Sequence, residues 1–117
     1  GWHIPHLIQN KNIEICALVD PSDHPRTTLN PDLEPMITLA RKCGNCPIFD
    51  LVKDLLASGV SSYMDGVIIC TPHSTHFEIA SSLLQESLRR RIQNQGNKQV
   101  QQLHMFLEKV STENCEV

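Results

Sequence analysis

Apolar positions along this chain alternate between helical and strand spacing four times over. Ile4, Leu7 and Ile8 sit at helical intervals, and Asn10-Lys11-Asn12 closes that element. Ile13 to Val19 is a mostly apolar run of strand type that stops at Asp20-Pro21. A polar, proline-containing loop follows from Pro21 to Asn30. Met36, Ile37, Leu39 and Ala40 predict a second helix, begun by Glu34 with Pro35 as first helical residue and ended by Gly44. Pro47-Ile48-Phe49 predicts a short strand. Asp50 then caps a helix carrying Leu51, Val52, Leu55 and Leu56, which stops at Gly59.

The most informative stretch comes next. Gly66 to Cys70 is a short β-branched run, the pattern of a buried strand, and Pro72 stops it because proline has no N–H for a ladder. Thr75 opens a helix with Glu78 three residues on as capping-box partner. Ile79, Ala80, Leu83, Leu84, Leu88 and Ile92 form its apolar face. Arg89, Arg90 and Arg91 fall in its last turns, where cations suit the helix dipole. Gln93 to Gln102 reads as loop, His104 to Leu107 as a strand, and 111–117 as a loose tail. Strict alternation of helix and strand implies an α/β fold with a parallel sheet.

Composition narrows the function classes. A chain of 117 residues allows one domain of ordinary size. A net charge of −3 gives no basic surface for nucleic acid, and 4% aromatic residues give no platform for stacked bases. The apolar runs are too short to cross a bilayer, and no secretory pattern opens the chain. The five cysteines, Cys16, Cys43, Cys46, Cys70 and Cys115, read as reduced thiols, which places the chain in the cytoplasm.

Three polar clusters follow strands. Asp20 can accept hydrogen bonds from both hydroxyls of an adenosine ribose and would repel a 2′-phosphate, favouring NAD over NADP; its plainer reading is ordinary turn chemistry in Asp20-Pro21-Ser22. Thr71-Pro72-His73-Ser74-Thr75-His76 places hydroxyls and imidazoles at a helix start, suited to a phosphate or ribose, or equally to a proline turn with solvated histidines. Glu108-Lys109 offers a lysine able to move a proton, or else a surface ion pair. Cys43-Gly44-Asn45-Cys46 has the spacing of half a zinc site or of a redox pair, without a second half.

Taken in order, these clusters resemble the N-terminal dinucleotide-binding domain of the glucose–fructose oxidoreductase and inositol dehydrogenase (Gfo/Idh/MocA) family. Ile13 to Ser22 is similar to that family's second strand and ribose-binding acid, Met64 to His76 to its fourth strand and TPxxxH turn, and His104 to Lys109 to the strand entering its EKP motif. His6 matches a histidine often found early in the family's first helix. The resemblance implies an incomplete Rossmann fold, doubly wound and mostly parallel, lacking the first strand and glycine-rich loop. It covers residues 1–110, with an insertion at about 86–101 and a loose tail at 111–117. By the same resemblance Asp20 and Ser22 hold the adenosine ribose. Thr71, Pro72, His73 and His76 line the pyrophosphate and nicotinamide ribose. Glu108 seats the nicotinamide, and Lys109 is the catalytic lysine, orienting the substrate oxygen while NAD (or NADP) carries hydride.

The chain departs from the family in four ways: no GxGxxG loop precedes Ile4, residues from Glu86 look inserted, Val110 replaces the proline of EKP, and no second antiparallel domain follows. The expectation is therefore a fragment of an oxidoreductase whose parent acts on a sugar, polyol or related small molecule. Oligomers would form only through the missing domain. Two other readings stay open: a non-catalytic nucleotide-binding or protein-interaction module, and a small zinc protein organised by Cys43 and Cys46. A domain without its first strand exposes two strand edges and is expected to be marginal and aggregation-prone.

Overall fold

The computed structural model describes residues 3–24, 34–93 and 104–107, with 91–93 and 104–107 described by backbone alone. It divides into two units, Gly1–Tyr63 and Met64–Val117, and each is taken by itself below. Both have the α/β character that the alternating pattern implies.

The first unit runs α1 (His3–Gln9), β1 (Leu18–Val19), α2 (Met36–Lys42), β2 (Ile48–Phe49), α3 (Val52–Ala57) and a 3₁₀ turn at Val60–Tyr63. β1 and β2 pair in parallel, Leu18 beside Ile48 and Val19 beside Phe49. β1 is far shorter than the run from Ile13 to Val19 suggests. A strand is only as long as the partner that satisfies it, and β2 offers two residues between Pro47 and Asp50. The flanking bonds, Leu18 N–H to Pro47 O and Asp20 N–H to Phe49 O, both 3.0 Å, complete that short ladder.

Helix starts also differ in detail from the pattern. Pro35 takes an extended ψ of 149° and is the N-cap of α2 rather than its first residue; its carbonyl accepts from Thr38 and Leu39. Leu51, not Asp50, is the N-cap of α3, and no side chain caps that helix. The end of α2 agrees with the sequence. Gly44 and Asn45 adopt positive φ of 73° and 59°, and the Asn45 N–H bonds Ala40 O at 2.8 Å, a Schellman-type closure. Ser58 caps α3 by donating its hydroxyl to Leu55 O at 2.7 Å, and Gly59, at φ 84°, turns the chain into the 3₁₀ segment that periodicity did not anticipate. Among the described residues of this unit the buried apolar ones are Met36, Leu39, Ala40 and Leu55. Burial of each larger one contributes on the order of 2 kcal/mol.

The second unit is a strand–helix–strand: β3 (Gly66–Ile69), α4 (His73–Gln93) and β4 (His104–Leu107). β3 and β4 are parallel, with Gly66 beside His104 and Ile69 beside Leu107. A parallel pair needs a long crossover, and the 21 residues of α4 supply it. α4 begins two residues before Thr75. The Pro72 carbonyl already accepts the Thr75 N–H at 2.9 Å, so Thr75 lies inside the first turn and the Thr75–Glu78 capping box does not form.

The apolar face expected of α4 divides. Leu83 is 1% exposed and Ile79 and Ala80 are half-buried, whereas Leu84 and Leu88 face solvent. The buried stripe continues instead through Glu86, Ser87 and Arg90, which follow Leu83 at intervals of three, four and seven residues. The stretch expected as an insertion begins inside this helix, and its residues 94–101 lie outside the described ones. Among the described residues no helix is long and apolar enough to cross a membrane.

Candidate functional site

Asp20 leaves β1 half-buried, its N–H held by Phe49 O. Its Oδ1 accepts the Ser22 N–H at 2.9 Å, and Ser22 Oγ accepts the His24 N–H at 3.3 Å. This is an Asx turn followed by a serine turn, so the structure brings Asp20 and Ser22 together through local backbone chemistry. One carboxylate oxygen is spent on the turn; Oδ2 is the other acceptor.

The second cluster sits where β3 hands over to α4. Pro72 prevents the ladder from continuing and supplies the carbonyl that starts the helix. Thr71, Pro72, His73 and His76 are gathered within that one turn. The His76 ring Nε2 lies 2.7 Å from Thr71 O, which fixes the imidazole as the donor at that nitrogen. Its Nδ1 is then the acceptor in the neutral ring. The His73 and His76 rings stand 5.2 Å apart, tilted by 56°. Thr75, which sequence reasoning assigned to capping, instead places its hydroxyl 2.6 Å from Thr71 Oγ1 and 2.7 Å from Pro72 O. The result is a turn in which the Thr71 and Thr75 hydroxyls and one imidazole are bonded inward, beside a second imidazole.

The third cluster, Glu108 and Lys109, lies outside the described residues, as does Val110. The strand before it is described, and it bears on the arrangement. Parallel pairing of Leu107 with Ile69 sets the carboxyl ends of β3 and β4 side by side. Asp20 and Ser22 belong to the first unit and the Thr71–His76 turn to the second.

Two further groupings lie outside these clusters, and of them only the first was not anticipated. The first is a buried ionic cluster on α4. Arg89 forks onto Glu86, Nε to Oε2 at 2.9 Å with Nη2 on Oε1, and this bonding holds the Glu86 carboxyl below its ordinary value of 4.5 while raising the Arg89 guanidinium. Arg90 is 7% exposed; its Nε lies 3.9 Å from Glu86 Oε1, its Nη1 donates to Met64 O at 3.0 Å, and its Nη2 has no partner among the described residues. The signal was legible: a Glu and an Arg at i and i+4 in register with Leu83. The second is at the end of α2, where the Cys43 and Cys46 thiols share a hydrogen bond. Partial burial pushes the Cys43 thiol up, and burial together with Cys43 pushes Cys46 up to about 11. Beside Cys43 lies a shallow cavity of about 230 Å³ with Leu7, Ile8, Ile13 and Ile15 in its walls. Asp20 and Ser22 do not line it. Among the described residues no group of three or more His, Cys, Asp or Glu side chains could hold a metal ion.

No family model matches this chain, and no curated protein or solved structure matches it either.

Proposed function

We propose that this chain is the nucleotide-binding part of an NAD(P)-dependent oxidoreductase of the Gfo/Idh/MocA type, acting with a small hydroxy or keto substrate. The observation that carries the reading is strand pairing. A doubly wound sheet of order 3-2-1-4-5-6 contains strand 3 beside strand 2 and strand 4 beside strand 5, all parallel. β1 with β2 and β3 with β4 are parallel pairs of that kind. Asp20 follows the strand that would be second, and Thr71–His76 follows the strand that would be fourth. Both are carboxyl ends, where such sheets bind ligands.

In this reading Asp20 accepts a ribose hydroxyl through Oδ2 while Oδ1 stays on the Ser22 N–H. A carboxylate there disfavours a 2′-phosphate, so NAD is preferred to NADP. His73 and the Nδ1 face of His76 meet the pyrophosphate and nicotinamide ribose. Glu108 and Lys109 follow β4, which pairs with β3, and Lys109 orients the substrate oxygen and moves its proton. The nicotinamide supplies the hydride chemistry when bound. The compartment is cytoplasmic.

Titration of NADH fluorescence with the purified chain tests this. Saturable binding that weakens about tenfold or more in Asp20→Ala, the loss of one charge-assisted hydrogen bond, supports it. A folded chain that leaves NADH fluorescence unchanged at millimolar cofactor refutes it.

A further inference from the structure

The turn Cys43-Gly44-Asn45-Cys46 takes no part in the proposed cofactor site, yet it is arranged for chemistry of its own. Both central residues have positive φ, which reverses the chain within two residues. The reversal is held by the cap of α2: Cys43 N–H bonds Leu39 O and Ala40 O, each at 3.1 Å, and Asn45 N–H bonds Ala40 O. The two thiols share a side-chain hydrogen bond. Both thiols are half-buried rather than sealed, and Cys43 borders the shallow cavity. A disulfide demands Cβ atoms within about 4.5 Å, a demand that most Cys pairs meet only by moving backbone. Here the backbone is set by the helix cap.

We propose that Cys43 and Cys46 form a reversible disulfide-forming site whose oxidant is a low-molecular-weight disulfide. Cys43 is the thiol that borders the shallow cavity, so an external disulfide reaches it first. Cys43 loses its proton to solvent and its Sγ bonds one sulfur of the oxidant, whose S–S bond breaks; the first thiolate departs and takes up a proton. Cys46 then loses its proton and attacks Cys43 Sγ, breaking the mixed disulfide and expelling the second thiolate, which is protonated in turn. Two protein thiols are oxidised by two electrons and one external disulfide is reduced to two thiols. Partial burial disfavours both protein thiolates, so the dithiol gains little from ionisation and the closed form is the stable one under oxidising conditions; the reaction quickens as pH rises.

The test uses the full chain in buffers of glutathione disulfide and glutathione at graded ratios, quenched by acid, alkylated and mapped by peptide mass. The expected result is loss of two hydrogens from the peptide joining Cys43 to Cys46, with both residues protected from alkylation and Cys16 still alkylated. Alkylation of both at every ratio, or a Cys16–Cys46 link instead, overturns the proposal. The variants address the order: Cys46→Ser should accumulate glutathione on Cys43, and Cys43→Ser should accumulate less on Cys46. The reverse order overturns the assignment of Cys43 as the attacking thiol. Because the unmodified chain carries the primary readout, failure of a variant to fold leaves the proposal testable.

Discussion

Substitution of Glu86 by glutamine isolates the ionic cluster on α4. The change is nearly isosteric and removes one negative charge from a side chain that is 8% exposed. Two arginines feel the loss unequally. Arg89 is exposed, and water compensates it. Arg90 is buried, and its Nε sits 3.9 Å from Glu86 Oε1. Coulomb's law at an effective dielectric of about 20 gives roughly 4 kcal/mol of attraction at that separation. Desolvation already offsets much of this in the native pair, but it remains after the carboxylate is gone. Among the described residues Arg90 would then keep the Met64 carbonyl and a neutral amide in place of the carboxylate, and the expected cost is about 3 kcal/mol. Urea denaturation followed by circular dichroism should show the midpoint falling at constant slope. A double substitution of Glu86 and Arg90 by leucine and methionine should cost less than Glu86→Gln alone, since it removes both buried charges. The pH dependence carries a sign. The folded Glu86 value lies below 4.5, so its stabilisation is complete above that pH and is lost as pH falls through the lowered value. Glu86→Gln should therefore flatten the acid limb below pH 4.5. A Glu86→Gln chain as stable as the parent, with an unaltered acid limb, would refute the reasoning.

Two further outcomes are expected. Leu83→Ala empties the most buried apolar position, at 1% exposure, and should cost about 2–5 kcal/mol, read as a lowered urea midpoint; a cost under ~1 kcal/mol would mean α4 does not rest on that side chain. Gly44→Ala meets no neighbour within 4 Å, so its expected cost of about 1 kcal/mol comes from the left-handed φ of 73° alone, and a neutral result in thermal melts would show that the turn relaxes.

Much of the candidate site was legible because its determinants are local. The stop of β3 before Pro72 follows from proline's missing N–H, the end of α2 from Gly44, and the turn after β1 from an aspartate that bonds the backbone two residues on. Each depends on a few consecutive residues. Capping was less legible. Thr75 and Asp50 have side chains suited to an N-cap, but where a helix starts depends on which carbonyl first finds an amide three or four residues later. Pro72 offered its own before Thr75 could act.

What the residues by themselves determined is the order and kind of the elements, and the polar turns that follow two of the strands. That information is carried by hydrophobic period and by turn chemistry, both short in range. Tertiary structure alone decided the length of β1, because a strand extends only as far as a partner's amides and carbonyls reach. It also decided which stripe of α4 is buried. Leu84 and Leu88 are as apolar as Leu83, but they fall on the part of the helix surface left to solvent. Arg90 donates to the Met64 carbonyl, 26 residues away, from the face that also buries Glu86 and Ser87. No period in the sequence encodes a contact between a side chain and a distant backbone carbonyl.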